Sequence, residues 1–181
     1  MKKAATALAL GALLLTPALA QLDAAKSSVV AISKQMGVPV EGRFKRFSAQ
    51  LSFDPAKPAE GKASVDIDIA SFDLGADDFN RETVKPEWFN AAKFPKATFV
   101  TSAIKPAGPG KFEAAGKLTI KGITRDIVAP VSFKAEAGQQ VFEGVLPIKR
   151  LQFNIGEGEW KDTSTVADDV QIKFRIVTAK K

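Results

Sequence analysis

The sequence predicts an all-β fold of about eight long antiparallel strands with one short helix, and three observations carry that prediction. Apolar residues alternate with polar ones through most of the chain. Turn-forming Gly and Pro recur at intervals suited to hairpins, and a single stretch from Asp77 to Val84 breaks the alternation.

The alternation is cleanest where Val65, Ile67 and Ile69 oppose Ser64, Asp66 and Asp68, because a period of two sends successive side chains to opposite faces of a strand. The same parity runs through Ile127, Ala129, Val131, Phe133 and Ala135. It returns in Phe142, Gly144, Leu146 and Ile148, and again in Val170, Ile172, Phe174 and Ile176 against Lys173 and Arg175. Phe47, Ala49, Leu51 and Phe53 share a parity that Phe44 breaks, which predicts a bulge or bend between Phe44 and Phe47. Turn signals fall at Gly37, Asp54-Pro55, Gly75, Pro106 to Gly110, Gly138, Gly156 and Gly158. In the stretch that does not alternate, Asp77 and Asp78 stand where a helix N-terminus favours acids, and Pro86 stops the helix soon after. One short helix around Asp78 to Lys85 is expected. It leads into Trp88-Phe89 and Phe94-Pro95, aromatics that read either as core plugging one end of the sheet or as the rim of a pocket. Strands with one apolar face must pack as two sheets or close into a barrel, and the pattern alone leaves both open.

Composition narrows the chemistry. The 181 residues contain no Cys, no His and no Tyr. That excludes zinc sites of the usual nitrogen or sulfur kind and nucleophile pairs built on His, so the sequence predicts no metal site, no required cofactor and no enzyme. Apolar residues at 45% and charged residues at 25% are the proportions of an ordinary globular domain.

Residues 1–20 differ from the rest: Lys2 and Lys3 precede an uncharged run from Ala4 to Leu15, and Ala18-Leu19-Ala20 supplies small residues at a cleavage-site spacing. They predict a signal peptide cleaved after Ala20, which leaves residues 21–181 as one exported domain. No Cys follows the cleavage site, so a lipid-anchored form is not expected. Without Lys2 and Lys3 the formal net charge falls from +6 to +4. Nucleic acid is not an expected partner of an exported protein. The basic cluster of Arg43, Lys45 and Arg46 reads either as a transient contact with anionic lipid headgroups or as a solvated strand edge.

From about residue 23 to 179 the sequence resembles the YceI-like family of exported, lipocalin-like polyisoprenoid-binding proteins. Phe94-Pro95-Lys96-Ala97-Thr98-Phe99 and the block from Gly116 to Arg125, Gly-Lys-Leu-Thr-Ile-Lys-Gly-Ile-Thr-Arg, carry the resemblance. Gly42-Arg43-Phe44 with Phe47, Asp54-Pro55, the segment Arg150 to Gly156 and the closing run Asp168 to Ile172 support it. The resemblance implies an eight-stranded antiparallel lipocalin-like barrel with a helix at its side or end. It also implies an elongated apolar cavity for an isoprenoid chain and residence in the periplasm of a Gram-negative bacterium. Lys26 and Lys121 stand where many members carry His, so a histidine-dependent metal or headgroup contact is not carried over.

An isoprenoid tail asks only for a dry apolar slot, because burying apolar area contributes about 25 cal/mol per Å². The expected walls are Ile67, Ile69, Val131, Phe133, Leu146, Phe174 and Ile176, with Trp88 and Phe89 nearer an end. Arg150 is the candidate for holding a phosphate or quinone oxygen, or else ties a loop to the barrel through Asp168 or Asp169. Those two adjacent acids point to opposite faces of a strand and do not converge on a substrate. The sequence therefore reads as a periplasmic carrier of an isoprenoid lipid, a polyprenyl compound or quinone tail held non-covalently. Two alternatives stay open: a stress-related interaction protein with a solid barrel, and an accessory to quinone-linked membrane electron transfer. The pairing of two copies into a homodimer is also left open.

Overall fold

The structure, a computed structural model, describes residues 20–179; the expected signal peptide, apart from Ala20, lies outside the described residues. One antiparallel sheet contains β1 (Ser28–Gln35), β2 (Val38–Phe44), β3 (Phe47–Ser52), β4 (Lys62–Asp68), β5 (Phe72–Asp73), β6 (Lys96–Gly108), β7 (Lys111–Ile120), β8 (Ile123–Glu136), β9 (Gln139–Lys149) and β10 (Asp169–Ala179). Its order is β3-β4-β6-β7-β8-β9-β10-β1-β2-β5.

Ten segments make eight strands, because two strands are broken. β2 and β3 are halves of one bent strand: β2 pairs with β1 and β5, and β3 pairs with β4. β4 and β5 are likewise halves of one strand, interrupted by a 3₁₀ turn at Ile69–Ser71. The two ends of the sheet order are thus covalently continuous with strands inside it, and the sheet closes on itself as a barrel. The bend falls between Phe44 and Phe47, where the break in parity predicts it. Its backbone groups are satisfied across the break. Lys45 N–H donates to the Ser71 carbonyl at 3.1 Å, Asp68 N–H to the Arg46 carbonyl at 3.0 Å, and Arg46 N–H to the Ser71 hydroxyl at 2.9 Å. Closure leaves few sheet edges free for pairing with other chains.

The one α-helix among the described residues, α1 (Asp77–Thr83), begins close to the expected place and ends earlier than Lys85, because the chain turns ahead of Pro86. Asp73 fastens its leading end. The Lys45 ammonium at 2.5 Å, the Asn80 amide and the Gly75 N–H hold the Asp73 carboxyl down to about 2. Arg46 pairs with Asp68 at 2.8 Å. Two of the three residues in the basic cluster are therefore committed to carboxylates of the protein itself.

The two barrel ends are built differently. At one, the rings of Phe112, Phe133 and Phe142 surround Phe53 with centroids 5.0, 5.2 and 5.5 Å from it. The wall near this end has a gap, since β3 has bent away from β1 and β10 runs on beyond its pairing with Ser28. Residues 20–23 fill it: Ala20 N–H donates to Leu51 O at 3.0 Å, Asp23 N–H to Val177 O at 2.8 Å, and Gln21 O accepts from Ala179 N–H at 3.1 Å. Ala20, the last residue of the expected signal peptide, touches the barrel, because pairing of the next residues with β10 carries it against β3. The other end is capped by residues 150–168 and by the loop after α1.

Candidate functional site

The barrel interior is not solid. A cavity of about 440 Å³ runs inside it, lined almost wholly by apolar side chains. β4 contributes Val65 and Ile67, β8 contributes Ala129 and Val131, β9 contributes Leu146 and Ile148, and β10 contributes Ile172, Phe174 and Ile176. These are the inward positions that the period-two pattern selects. Nine of the ten expected site residues line the cavity: Ile67, Ile69, Trp88, Phe89, Val131, Leu146, Arg150, Phe174 and Ile176. Phe133 does not. It lies one inward position beyond Val131, about 7 Å along the strand, and belongs to the aromatic plug, 5.3 Å from Phe142.

Gly144 shares the inward parity of β9 but offers no open space. The Phe174 ring lies over it, and a Cβ there would collide with that ring and with the Pro130 carbonyl. The missing side chain is what lets Phe174, its cross-strand partner, lie flat against the wall.

Several lining residues escape the strand pattern. Phe79, Glu82 and Thr83 reach the cavity from one face of α1, at the i, i+3, i+4 spacing of a helix stripe. Phe72 stacks between Phe44, at 4.7 Å, and Phe89, at 5.5 Å, and all three line the cavity. Trp160 comes from the capping loop and meets Trp88 at 5.3 Å. The helix stripe is the signal that would have identified Phe79. Phe72 and Trp160 follow interruptions that no periodicity reaches.

Arg150 takes the second of the two roles expected of it, tying a loop to the barrel, but through main-chain carbonyls and not through Asp168 or Asp169. It is 2% exposed, and every guanidinium N–H already has a main-chain acceptor. Nε donates to Ala167 O at 3.1 Å. Nη1 donates to Ile155 O and Gly156 O at 2.8 and 3.2 Å, and Nη2 to Trp160 O and Val166 O at 2.6 and 2.7 Å. No donor is left for a ligand's head. The residue organises the capping loop by collecting carbonyls that would otherwise be buried without partners. Its charge also lies over Trp88, 5.9 Å from the ring centroid. Burial pushes the guanidinium below its ordinary pKa, opposed by the Asp168 carboxylate. Neither expected acid binds Arg150 directly. Asp168 accepts from Leu151 N–H at 2.9 Å, and Asp169 pairs with Lys149 at 2.7 Å.

A second cation secures the same loop. Lys121, buried at the tip of the β7–β8 hairpin, donates to Asn154 O and to Glu157, both at 2.7 Å. That hydrogen bond holds the Glu157 carboxyl below its usual value. The Trp88 indole N–H is buried with no hydrogen-bond partner among the described residues. Also among the described residues, no group of three or more acidic side chains is placed to hold a metal ion.

The YceI-like domain model matches residues 21–178. The chain belongs to the YceI-like family. UPF0312 proteins of Ectopseudomonas mendocina and Pseudomonas fluorescens are 30% and 32% identical to it over 141 and 154 residues, covering 75% and 78% of this chain and 72% and 76% of theirs. Among solved structures, Burkholderia cenocepacia BcnA superposes with a TM-score of 0.86 at 56% identity, covering 88% of this chain and all of that one. The Campylobacter jejuni YceI protein gives 0.72 at 30% identity, covering 78% of this chain and 85% of that one. A polyisoprenoid-binding domain from Saccharophagus degradans gives 0.73 at 18% identity, covering 91% of this chain and 100% of that one; this likeness is one of fold.

Proposed function

We propose that this YceI-like protein is a periplasmic carrier that encloses the tail of an isoprenoid lipid in its barrel, after removal of residues 1–20. The observation that carries the reading is the cavity itself: a largely apolar space of about 440 Å³ inside the closed wall of the barrel, within the usual range for ligand sites. Membership of the YceI-like family supports it, as does the shared fold of a domain described as polyisoprenoid-binding. The reading is of binding and not of catalysis, since the lining brings together no nucleophile with a base and no pair of convergent acids.

The site also limits where a charged head can sit. The charged residues on the cavity lining are Lys62, Glu82 and Arg150, and the donors of Arg150 are all engaged. A phosphate drawn deep among the aliphatic walls would lose its hydration without hydrogen-bond compensation. The part of the ligand among the aliphatic walls is therefore hydrocarbon, and a charged head stays outside them. Mass spectrometry of an organic extract of protein purified from its native periplasm tests the reading. A stoichiometric prenyl lipid is the expected result. Recovery of none, together with failure to bind a fluorescent farnesyl probe in solution, would reject it.

A further inference from the structure

β8 and β9 are long strands, of 14 and 11 residues, yet they pair with each other over five residues, from Glu136 with Gln139 at their shared hairpin to Ser132 with Glu143. On their other sides the same strands pair at length, β8 with β7 from Ile123 to Ser132 and β9 with β10 from Gln139 to Lys149. The seam between β8 and β9 is thus zipped beside the aromatic plug and unzipped toward the cap.

Two prolines end the ladder. Phe133 N–H donates to Gly110 O at 2.8 Å, toward β7, so the alternate residues Ser132, Pro130 and Val128 turn their main-chain groups toward β9. Continuing the register of Ser132 with Glu143 makes Pro130–Val145 and Val128–Pro147 the next two rungs. Each needs an N–H that its proline does not have, so each keeps at most one of its two bonds. Proline is rare inside a sheet, and here two face one seam from opposite strands.

Apolar side chains line this stretch on both faces. Inside, Ile127, Ala129, Leu146 and Ile148 belong to one packed cluster and border the cavity. Outside, Val128 is 54% and Val145 41% exposed, and Pro130 and Pro147 are exposed with them. At the far end Arg125 reaches across to Gln152 O, Nε at 3.3 Å and Nη2 at 3.2 Å. β6 also runs on past its pairing with β4, but there the 3₁₀ turn Pro58–Glu60 packs against it and Ala63 N–H donates to the Thr101 hydroxyl at 2.8 Å.

We propose that the ligand's hydrocarbon tail enters and leaves the cavity sideways, through the β8–β9 seam between Arg125 and Ser132. The proposal rests on the carrier reading above and names the route to that site. Passage through the cap would have to open a loop held by five hydrogen bonds from Arg150, and passage through the plug would displace packed rings. Parting the two proline rungs breaks at most two main-chain bonds. A tail lying between the apolar lips replaces the contact that parting removes.

The test uses the mature chain, a fluorescent farnesyl probe and stopped-flow fluorescence. The chain has no Cys, so Val128→Cys with Val145→Cys supplies one unique pair for a short bis-maleimide across the seam. Crosslinking should lower the association and dissociation rates of the probe at least about tenfold and leave Kd unchanged. Pro130→Thr with Pro147→Thr, which restores the missing N–H groups, should slow both rates by a smaller factor and raise the thermal midpoint. A crosslink joining Val145→Cys to Lys173→Cys, across the fully paired β9–β10 seam, should change neither rate. Without any probe, the Val128 and Val145 amides should exchange with deuterium at least about tenfold faster than those of Ser132 and Glu143, which face the same seam where it is zipped. Unaltered rates in the seam-crosslinked protein, equal slowing by the β9–β10 crosslink, or equal exchange along the seam overturns the proposal. If wild type binds no probe, the carrier reading fails and the route with it; if wild type binds and the seam crosslink changes nothing, the route alone fails.

Discussion

The two ends of the barrel are closed by opposite means. One is stoppered by four phenylalanine rings packed edge to face, a closure made of apolar area and shape. The other is capped by a loop that buries Phe153, Ile155 and Val166 and is also gathered around the hydrogen bonds of Arg150 and Lys121. A packed plug loses strength in proportion to the atoms removed. A loop wound on one cation fails as a unit, because losing the cation leaves several buried carbonyls without donors at once. The first is held by packing alone, and the second adds a polar hub to its packing.

Arg150→Met should have the largest effect. A loss on the order of 4 kcal/mol is expected, a fall of about 10 °C in Tm for a domain of this size. Hydrogen exchange should rise first in residues 150–168; uniform exchange across the barrel would show that the cap is not a separate unit. Phe53→Ala, at the floor, should cost about 3 kcal/mol and leave exchange in residues 150–168 unchanged. If it loosens the cap as well, the two ends are coupled and the contrast fails.

Ala129→Trp probes the space between the ends. Ala129 is buried, yet it borders the cavity, so the indole has room and the stability cost should stay within about 1 kcal/mol. Affinity for a farnesyl probe should fall at least about tenfold as the ring fills the slot. A denaturation midpoint that collapses instead would mean that the walls at β8 do not yield. Gly144→Leu is expected to destabilise for a different reason, its collision with Phe174 and Pro130, and does not report on the cavity.

The smallest expected effect concerns acid. The Glu157 carboxyl is held below its ordinary 4.5 by the Lys121 hydrogen bond. A depressed carboxylate contributes stability that is fully present above the unfolded value and is lost as pH falls through the folded one. The cap should therefore loosen below pH 4.5, read as a change in the emission of the Trp88–Trp160 pair. Glu157→Gln should flatten that response while the aromatic floor shows none.

Legibility in the sequence follows the same division. The floor and walls are strand structure, and strand structure writes itself as alternation; hence Ile67, Val131, Leu146 and Phe174 were identifiable, and the bend after Phe44 with them. Phe133 had the right face but the wrong height, which parity does not encode. The cap obeys no period. Arg150 was visible as a cation beside the barrel, but nothing in its neighbourhood told that five carbonyls from Ile155 to Ala167 would turn inward to meet it. Phe72, Trp160 and the second strand break, at Ile69–Ser71, depend on long-range closure, which local sequence does not carry.

The last strand has a consequence for the life of the chain before it is folded. β10 pairs on one side with β9 and on the other with β1, so that Arg175 lies opposite Ser28. The ring therefore has no stable intermediate closure: until the final eleven residues of the sheet are available, β1 lacks the neighbour that joins it to β9. Contacts this distant in sequence form late. A polypeptide built this way stays open for as long as its C-terminal strand is unmade, and the barrel closes only when β10 is in place.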